Sequence, residues 1–238
     1  MRTVLTPWRS AGVRAYLEHI RRTSTIVLRG DFGSRHVLAL WHENIYLALL
    51  ACNSVESVAV YAWKHRMAEF SVSLIRSCGM HVIEGSNDNL YGRRAVTKWL
   101  RGGPDRKLVV AVDGPLGPRR VMKEGALRFA ALADAPVRVA AFSAVGVHRL
   151  PTWDSRCVPE PGVRMTLSNE VEILPGSLGA ASDLQRALRK EFTGSSPQLT
   201  AGALAGRCWV RACSGPYYFG RITFGSVAPP DGVPSGKS

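Results

Sequence analysis

The 238-residue chain lacks several features that would assign it to a familiar class. No run of about 18 uncharged apolar residues occurs, so no membrane-spanning helix is predicted. Residues 1–22 lack the apolar core of a secretory signal peptide. None of the five cysteines forms a CxxC pair, so we expect no metal site and reduced thiols, as in a cytosolic protein. Neither GxxxxGK(S/T) nor GxGxxG is present, which disfavours a nucleotide-dependent enzyme.

Acidic residues are scarce. The 18 Asp and Glu residues stand against 31 Lys and Arg residues, for a net charge of +13 and a pI of about 10.1. This surplus favours an anionic partner, and nucleic acid, anionic lipid and a phosphorylated substrate all qualify. An arginine-rich source proteome is the alternative explanation. No nucleic-acid-binding motif is recognised, so nucleic acid is the least favoured of these partners.

Short apolar runs alternate with helix-like segments through most of the chain. The predicted strands cover 24–29, 36–41, 57–63, 81–85, 107–113, 136–145 and 163–173. The predicted helices cover 44–53, 66–79, 91–103, 123–134 and 182–192. This alternation predicts a single α/β domain with a mixed, mostly parallel sheet flanked by helices. The first two strands are expected to form a hairpin, and 163–173 to form an edge strand.

The domain is predicted to cover residues 1–193. Residues 194–238 are rich in Gly, Pro and Ser and are expected to form a partly disordered C-terminal extension. The sequence contains no internal repeat and gives no prediction of oligomeric state.

Charged residues follow several of the predicted strands. His42 follows the strand 36–41, and the loop 113–119 (DGPLGPR) follows the strand 107–113. Two Gly-Pro pairs restrict nearly every backbone angle of this loop, as a binding site requires. Because the carboxyl ends of parallel strands meet at one edge of a sheet, His42 and Asp113 are expected to lie close together there.

These motifs together resemble the bacterial lysophospholipid acyltransferase-like superfamily, in particular a poorly characterised branch related to lipid A acyltransferases. The matching residues, in the order of the family pattern, are Trp41-His42, Gly85-Ser86, Asp113-Gly114-Pro115, Gly117-Pro118-Arg119, Lys123, Gly125, Pro136, Trp153-Asp154, Pro159 and Pro161. The resemblance implies a glycerolipid acyltransferase-like fold. It also implies transfer of a fatty acyl group to the hydroxyl of a lysophospholipid or a lipid A-like acceptor. The donor would be acyl-CoA or acyl carrier protein, with no cofactor or metal.

In that superfamily a histidine activates the acceptor hydroxyl, usually paired with an aspartate five positions later, where this chain has Leu47. We therefore predict His42 as the catalytic base and Glu69 as its carboxylate partner, with Glu43 as second choice. The Trp153-Asp154 pair is interpreted as a packing feature with a capped turn.

Substrate binding is assigned to residues that match the family pattern or carry suitable charge: Arg66, Gly85, Ser86, Asp113, Gly114, Pro115, Gly117, Arg119 and Lys123. Backbone N–H groups of the 114–117 loop are the expected oxyanion donors, and Arg119, Arg120 and Lys123 the expected phosphate ligands.

The expected location is the cytoplasm, peripheral on the inner face of the cell membrane, with an anionic membrane surface as partner. Two alternatives stay open at this point. One is a catalytically weakened lipid-binding or scaffolding relative. The other is a basic nucleic-acid-binding domain.

Overall fold

The computed structural model describes the backbone of residues 5–85, 90–193 and 222–224. The helices in these ranges are α1 (Leu5–Thr23), α2 (Ile45–Cys52), α3 (Glu69–Ser77), α4 (Leu90–Arg101), α5 (Gly125–Ala133) and α6 (Ala180–Thr193). The strands are β1 (Thr25–Arg29), β2 (His36–Leu40), β3 (Val58–Trp63), β4 (His81–Gly85), β5 (Lys107–Ala111), β6 (Val137–Val139), β7 (Ala141–Arg149), β8 (Cys157–Ser168), β9 (Glu172–Ile173) and β10 (Ile222–Phe224).

The strands form two sheets in the described ranges. The larger has the order β4-β3-β5-β2-β6-β9, in which β9 runs antiparallel to β6 and the other neighbours are parallel. The smaller has the order β10-β1-β8-β7, with β7 antiparallel to β8. The predicted class, a mixed and mostly parallel α/β domain flanked by helices, is therefore confirmed.

Both faces of the larger sheet are buried, and the alternation of side chains along β2 shows how. Leu38 and Leu40 point to a core shared with α1, α2, α3 and the smaller sheet. Val37, Ala39 and Trp41 point to the opposite core, formed with α4, α5 and α6. Every residue of β2 is buried, as expected for a central strand with parallel neighbours and helices on both sides.

The predicted hairpin of the first two strands is wrong. β1 pairs in parallel with β8 and β10, whereas β2 pairs in parallel with β5 and β6, so the two strands belong to different sheets. Gly30 takes a positive φ of +98°, and the Asp31 carboxylate accepts the N–H groups of Gly33 and Ser34. This turn redirects the chain from one sheet to the other instead of reversing it.

Two further strand predictions need correction. The run 136–145 is divided at Ala140, where β6 ends in the larger sheet and β7 continues into the smaller one. The run 163–173 is not an edge strand, because most of it belongs to β8, which lies between β1 and β7. Periodicity identifies a buried strand but carries no information about which sheet receives it.

The remaining predicted elements agree with the structure to within a few residues at each end, and α1 is an element that the sequence analysis does not assign. The predicted extension, 194–238, lies outside the described residues apart from β10. In the part of the chain that the structure describes, no helix is long and apolar enough to cross a membrane.

Candidate functional site

The site is built at the carboxyl end of β2. The strand ends at Leu40, and a short 3₁₀ turn over His42–Asn44 leads into α2. The Trp41 side chain is buried, and its indole N–H donates to the carbonyl of Leu188 at 3.1 Å, which fixes the turn against α6. His42 therefore leaves the sheet from a rigid position.

A carboxylate from far along the chain meets the His42 ring. Asp154 Oδ2 lies 2.7 Å from His42 Nδ1, across 112 residues of sequence. Asp154 belongs to the turn between β7 and β8, and its side chain is fully buried, whereas that of His42 is 16% exposed. A buried carboxylate behind a partly exposed imidazole is the arrangement found in histidine-dependent acyl transfer.

The Asp154 carboxylate is held by two further side chains. The Thr152 hydroxyl donates to Oδ1 at 2.6 Å, and Arg156 Nε donates to Oδ2 at 2.9 Å. Burial raises the pKa of Asp154, but the hydrogen bonds from Thr152, His42 and Arg156 outweigh it and lower the pKa to about 2. Asp154 is therefore ionised at neutral pH.

An ionised carboxylate can only accept hydrogen bonds, so the proton of this contact belongs to His42 Nδ1. The neutral imidazole then carries its lone pair on Nε2, which is the atom able to take a proton from a substrate. The Trp153 ring, 5.2 Å from the His42 ring between centroids, packs beside it. The ring is thus fixed in both tautomer and orientation.

The residue after His42, Glu43, is buried among arginines. Arg119 donates to Glu43 Oε2 through Nε at 2.9 Å and Nη2 at 2.6 Å, and Arg120 donates to Oε1 at 2.7 Å. Arg149 lies 3.5 Å from Oε2. Three guanidinium groups thus surround one carboxylate, which leaves a local surplus of positive charge beside His42.

The loop after β5 brings Arg119 and Arg120 to the site, and Arg149 comes from the end of β7. Gly114 and Gly117 both take positive φ angles, +70° and +69°. A Cβ at Gly117 would lie 2.8 Å from the Trp153 ring, so only glycine allows the ring to lie this close. The two Gly-Pro pairs thus shape the backbone around Trp153 and turn Arg119 towards Glu43.

Asp113 connects this loop to β2. Its carboxylate accepts the backbone N–H of His42 at 2.8 Å and that of Arg120 at 3.2 Å. Burial raises the pKa of Asp113, against the effect of these two bonds. The predicted proximity of His42 and Asp113 is confirmed. Substrate binding by Asp113 stays a prediction. Its side chain is fully buried, and its two oxygens accept backbone N–H groups.

The predicted partner of His42 also needs correction. Nδ1 contacts Asp154, not Glu69, which is exposed at the first residue of α3. The second choice, Glu43, pairs with arginines instead. Arg66 is exposed in the turn before α3.

The other predicted binding residues fall in three places. Gly85 is buried at the end of β4, where a Cβ would meet the Tyr61 hydroxyl, so its smallness serves packing. Ser86 lies outside the described residues. Pro115 and Lys123 are exposed on the loop beside the site, where the Lys123 backbone N–H donates to the Val112 carbonyl at 2.8 Å. Gly114 N–H donates to the Ala111 carbonyl, so it is not available as an oxyanion donor.

Sequence reasoning did not place Thr152, Asp154 and Arg156 beside His42, where the structure brings them together. A signal was present, because Trp153-Asp154 matches the family pattern and a hydroxyl residue stands two positions before the acid. The interpretation of this match as packing does not consider the turn between β7 and β8. This turn brings the Asp154 carboxylate to the end of β2.

A concave region lies at the opposite edge of the larger sheet. It is a shallow hollow of about 410 Å³, lined by segments that precede strands, among them Arg35 and Arg101. Both guanidinium groups donate to carbonyls at the end of α5, at Asp134 and Leu132. These two arginines therefore stabilise the carboxyl end of α5, and the residues that line the hollow include no acid–base pair. Across the described ranges, no cluster of His, Cys, Asp or Glu could hold a metal ion.

Fold and site together define a mixed α/β protein with a His–Asp pair beside an arginine cluster. No protein-family model matches the chain, and no curated protein matches it. Among solved structures, it is similar to the crystal structure of the 1-acyl-sn-glycerophosphate (LPA) acyltransferase, PlsC, from Thermotoga maritima. The identity is 15%, the match covers 81% of this chain and 89% of that chain, and the TM-score is 0.44.

Proposed function

We propose that the protein is an acyltransferase that moves a fatty acyl group from a thioester donor to a lipid hydroxyl. The observation that carries the proposal is the contact of 2.7 Å between His42 Nδ1 and the buried, ionised Asp154. The resemblance of the Trp41-His42 and Asp113–Arg119 motifs to lysophospholipid acyltransferases supports the same chemistry.

In the first step His42 Nε2 takes the proton of the acceptor hydroxyl as its oxygen attacks the thioester carbonyl. The imidazolium that forms is stabilised by Asp154, which keeps its negative charge. The tetrahedral intermediate then collapses, the C–S bond breaks, and the imidazolium returns the proton to the leaving thiolate. The products are an ester and a free thiol, and His42 is neutral again.

The negative oxygen of the intermediate needs hydrogen-bond donors. Pro115 and Pro118 have no N–H, and that of Gly114 is engaged, so the N–H groups of Leu116 and Gly117 are the donors we assign within the loop. Gly117 stands beside Trp153, which packs on the His42 ring, and Leu116 is the residue before it.

The arginine cluster gives the proposal its acceptor class. Arg119, Arg120 and Arg149 together carry more positive charge than Glu43 neutralises. Arginine binds phosphate oxygens in a bidentate geometry, so a phosphate-bearing lysophospholipid or a phosphorylated lipid A-like acceptor fits the surplus. Acyl-CoA and acyl carrier protein both stay open as donors. The expected location, on the inner face of the cell membrane, stays a prediction.

The test is a transfer assay with purified protein, acyl-CoA or acyl carrier protein thioesters, and a panel of lysophospholipids. Release of free thiol and appearance of the acylated lipid are measured together, because thiol release alone would also report hydrolysis. We expect acceptor-dependent transfer that His42→Ala lowers by about 10²–10⁴-fold. The matched control is His19→Ala, on the exposed face of α1, which should transfer at the wild-type rate. An absence of transfer by wild-type protein would refute the proposal, and transfer that survives His42→Ala would refute the role of His42 as the base.

A further inference from the structure

Large apolar side chains are exposed on the two loops that frame the His42–Asp154 pair. Leu116 is 64% exposed and Val121 is 52% exposed on the loop after β5, and Trp153 is 41% exposed on the turn between β7 and β8. Single exposed apolar residues are common on protein surfaces, but several gathered at one place indicate an interaction site. We call Leu116, Val121 and Trp153 the apolar rim.

The three residues of the apolar rim belong to adjoining segments. The Trp153 ring lies against Gly117, the residue after Leu116. The Val121 N–H donates to the carbonyl of Pro118 at 3.2 Å, which holds Val121 next to the same loop. The Trp153 ring also packs on the His42 ring, so the apolar rim lies next to the His42–Asp154 pair.

The same segments carry a surplus of positive charge. The loop after β5, residues 112–124, contains Arg119, Arg120 and Lys123 against Asp113 and Glu124, and residues 141–156 contain Arg149 and Arg156 against Asp154. Lys123 and Arg149 are exposed. Exposed apolar groups interleaved with basic groups match the surface of an anionic bilayer, where tryptophan prefers the interface and basic side chains meet lipid phosphates.

We infer that the apolar rim docks the protein on the surface of an anionic lipid bilayer, with Leu116 and Val121 entering the headgroup layer. Docking in this orientation places His42 at the membrane surface, where a lipid hydroxyl can reach Nε2. The inference rests on the proposed function, since a lipid acceptor is what favours a bilayer over an acidic protein as the occupant. A bilayer also needs no matching groove, because its surface adapts to side chains carried on separate loops.

The test compares two double variants by co-sedimentation with phosphatidylcholine vesicles that contain or lack phosphatidylglycerol, without any acyl donor. Leu116→Ser with Val121→Ser removes two apolar groups of the rim and leaves every charge in place. The control is Leu174→Ser with Leu178→Ser, which are 62% and 103% exposed between β9 and α6. Because β9 runs antiparallel to β6, the segment after it leaves the sheet at the opposite edge.

We expect wild-type protein to bind the anionic vesicles and to bind neutral vesicles more weakly. The rim variant should lose about tenfold in partition coefficient, because two aliphatic groups no longer enter the interface, and the control variant should match wild type. Near-ultraviolet circular dichroism and Tm verify that both variants are folded.

Equal binding by the rim variant and the control would overturn the inference, and so would an absence of vesicle binding by wild type. Binding that ignores the rim substitutions but is abolished by salt would overturn it too, and would assign attachment to charge alone. A protein that docks through the rim but transfers no acyl group supports this inference and refutes the proposed function, so the two failures are distinguishable.

Discussion

A histidine stands at each end of β2, and the two are held in opposite ways. His36, at the amino end, is fully buried, and its Nδ1 contacts the backbone carbonyl of Ser34 at 2.9 Å. Its neighbour Lys107 is also buried and donates to the carbonyl of Phe32 at 2.8 Å. His42, at the carboxyl end, is partly exposed and contacts the side chain of Asp154.

The two ends of the sheet therefore differ in the partners of their polar side chains. At the amino end the polar side chains bond to backbone carbonyls of the chain itself, while the buried Nε2 of His36 has no hydrogen-bond partner. At the carboxyl end the carboxylates and guanidinium groups bond to one another beside an imidazole that solvent can reach. Ligands of open α/β sheets bind at the carboxyl ends of the strands, in agreement with this asymmetry.

The largest expected effect distinguishes Asp154, the observed partner of His42, from Glu69, the partner predicted from the sequence. Asp154→Asn should lower kcat by about 10²–10⁴-fold, because an amide no longer fixes the Nδ1 proton or stabilises the imidazolium. Glu69→Gln should leave kcat within about twofold of wild type. Steady-state kinetics of both variants, with Tm as a check on folding, measure this. A loss in Glu69→Gln equal to that in Asp154→Asn would contradict the assignment.

The second prediction concerns His36 and acid. Burial lowers the pKa of His36 from 6.5 to about 4, with the positive charges of Arg138 and Lys107 acting in the same direction. Between these values the unfolded chain binds a proton that the folded protein does not. Stability should therefore fall as the pH drops from about 6.5 to about 4, by about 3 kcal/mol.

Urea unfolding at a series of pH values measures this loss. His36→Asn keeps an N–H near Nδ1 but does not titrate, so the variant should lack this part of the pH dependence. His42→Asn is the control at the other end of the strand and should retain it. An unchanged slope in His36→Asn would show that another group is responsible.

The smallest expected effect comes from a comparison of two lysines, Lys107 at the amino end of the strands and Lys123 at the carboxyl end. Lys107→Met should lower the free energy of unfolding by about 1–3 kcal/mol, because the carbonyl of Phe32 loses its donor in a partly buried position. Lys123→Met, at the exposed loop beside the site, should change stability by less than about 0.5 kcal/mol. Thermal and denaturant unfolding of both variants give the values. Equal losses would remove the distinction between the two edges.

The sequence predicted the parts of this fold that depend on local pattern. Apolar runs and their alternation located the strands and helices of the larger sheet, and the rule for strand ends brought His42 to Asp113. The pattern could not assign strands to sheets, since β1 and β2 are similarly apolar and yet belong to different ones. That choice depends on packing between distant segments.

The sequence likewise predicts only part of the site. The position of His42 after a buried strand identifies it, but the sequence pattern favours Glu69 or Glu43 as its carboxylate partner. Asp154 comes from the smaller sheet, whose path depends on the break at Ala140. Likewise Arg119 was recognised as a loop cation, but its pairing with Glu43 needs the three-dimensional course of the loop.

The break at Ala140 means that the two residues of the His42–Asp154 pair become available at different stages of synthesis. When synthesis reaches Val139, His42 and all five parallel strands of the larger sheet have been made, but Asp154 has not. The carboxylate arrives only after β7 has left that sheet and the chain has turned through Asp154. A nascent chain can thus contain all the parallel strands of the larger sheet before it contains the carboxylate that contacts the His42 ring.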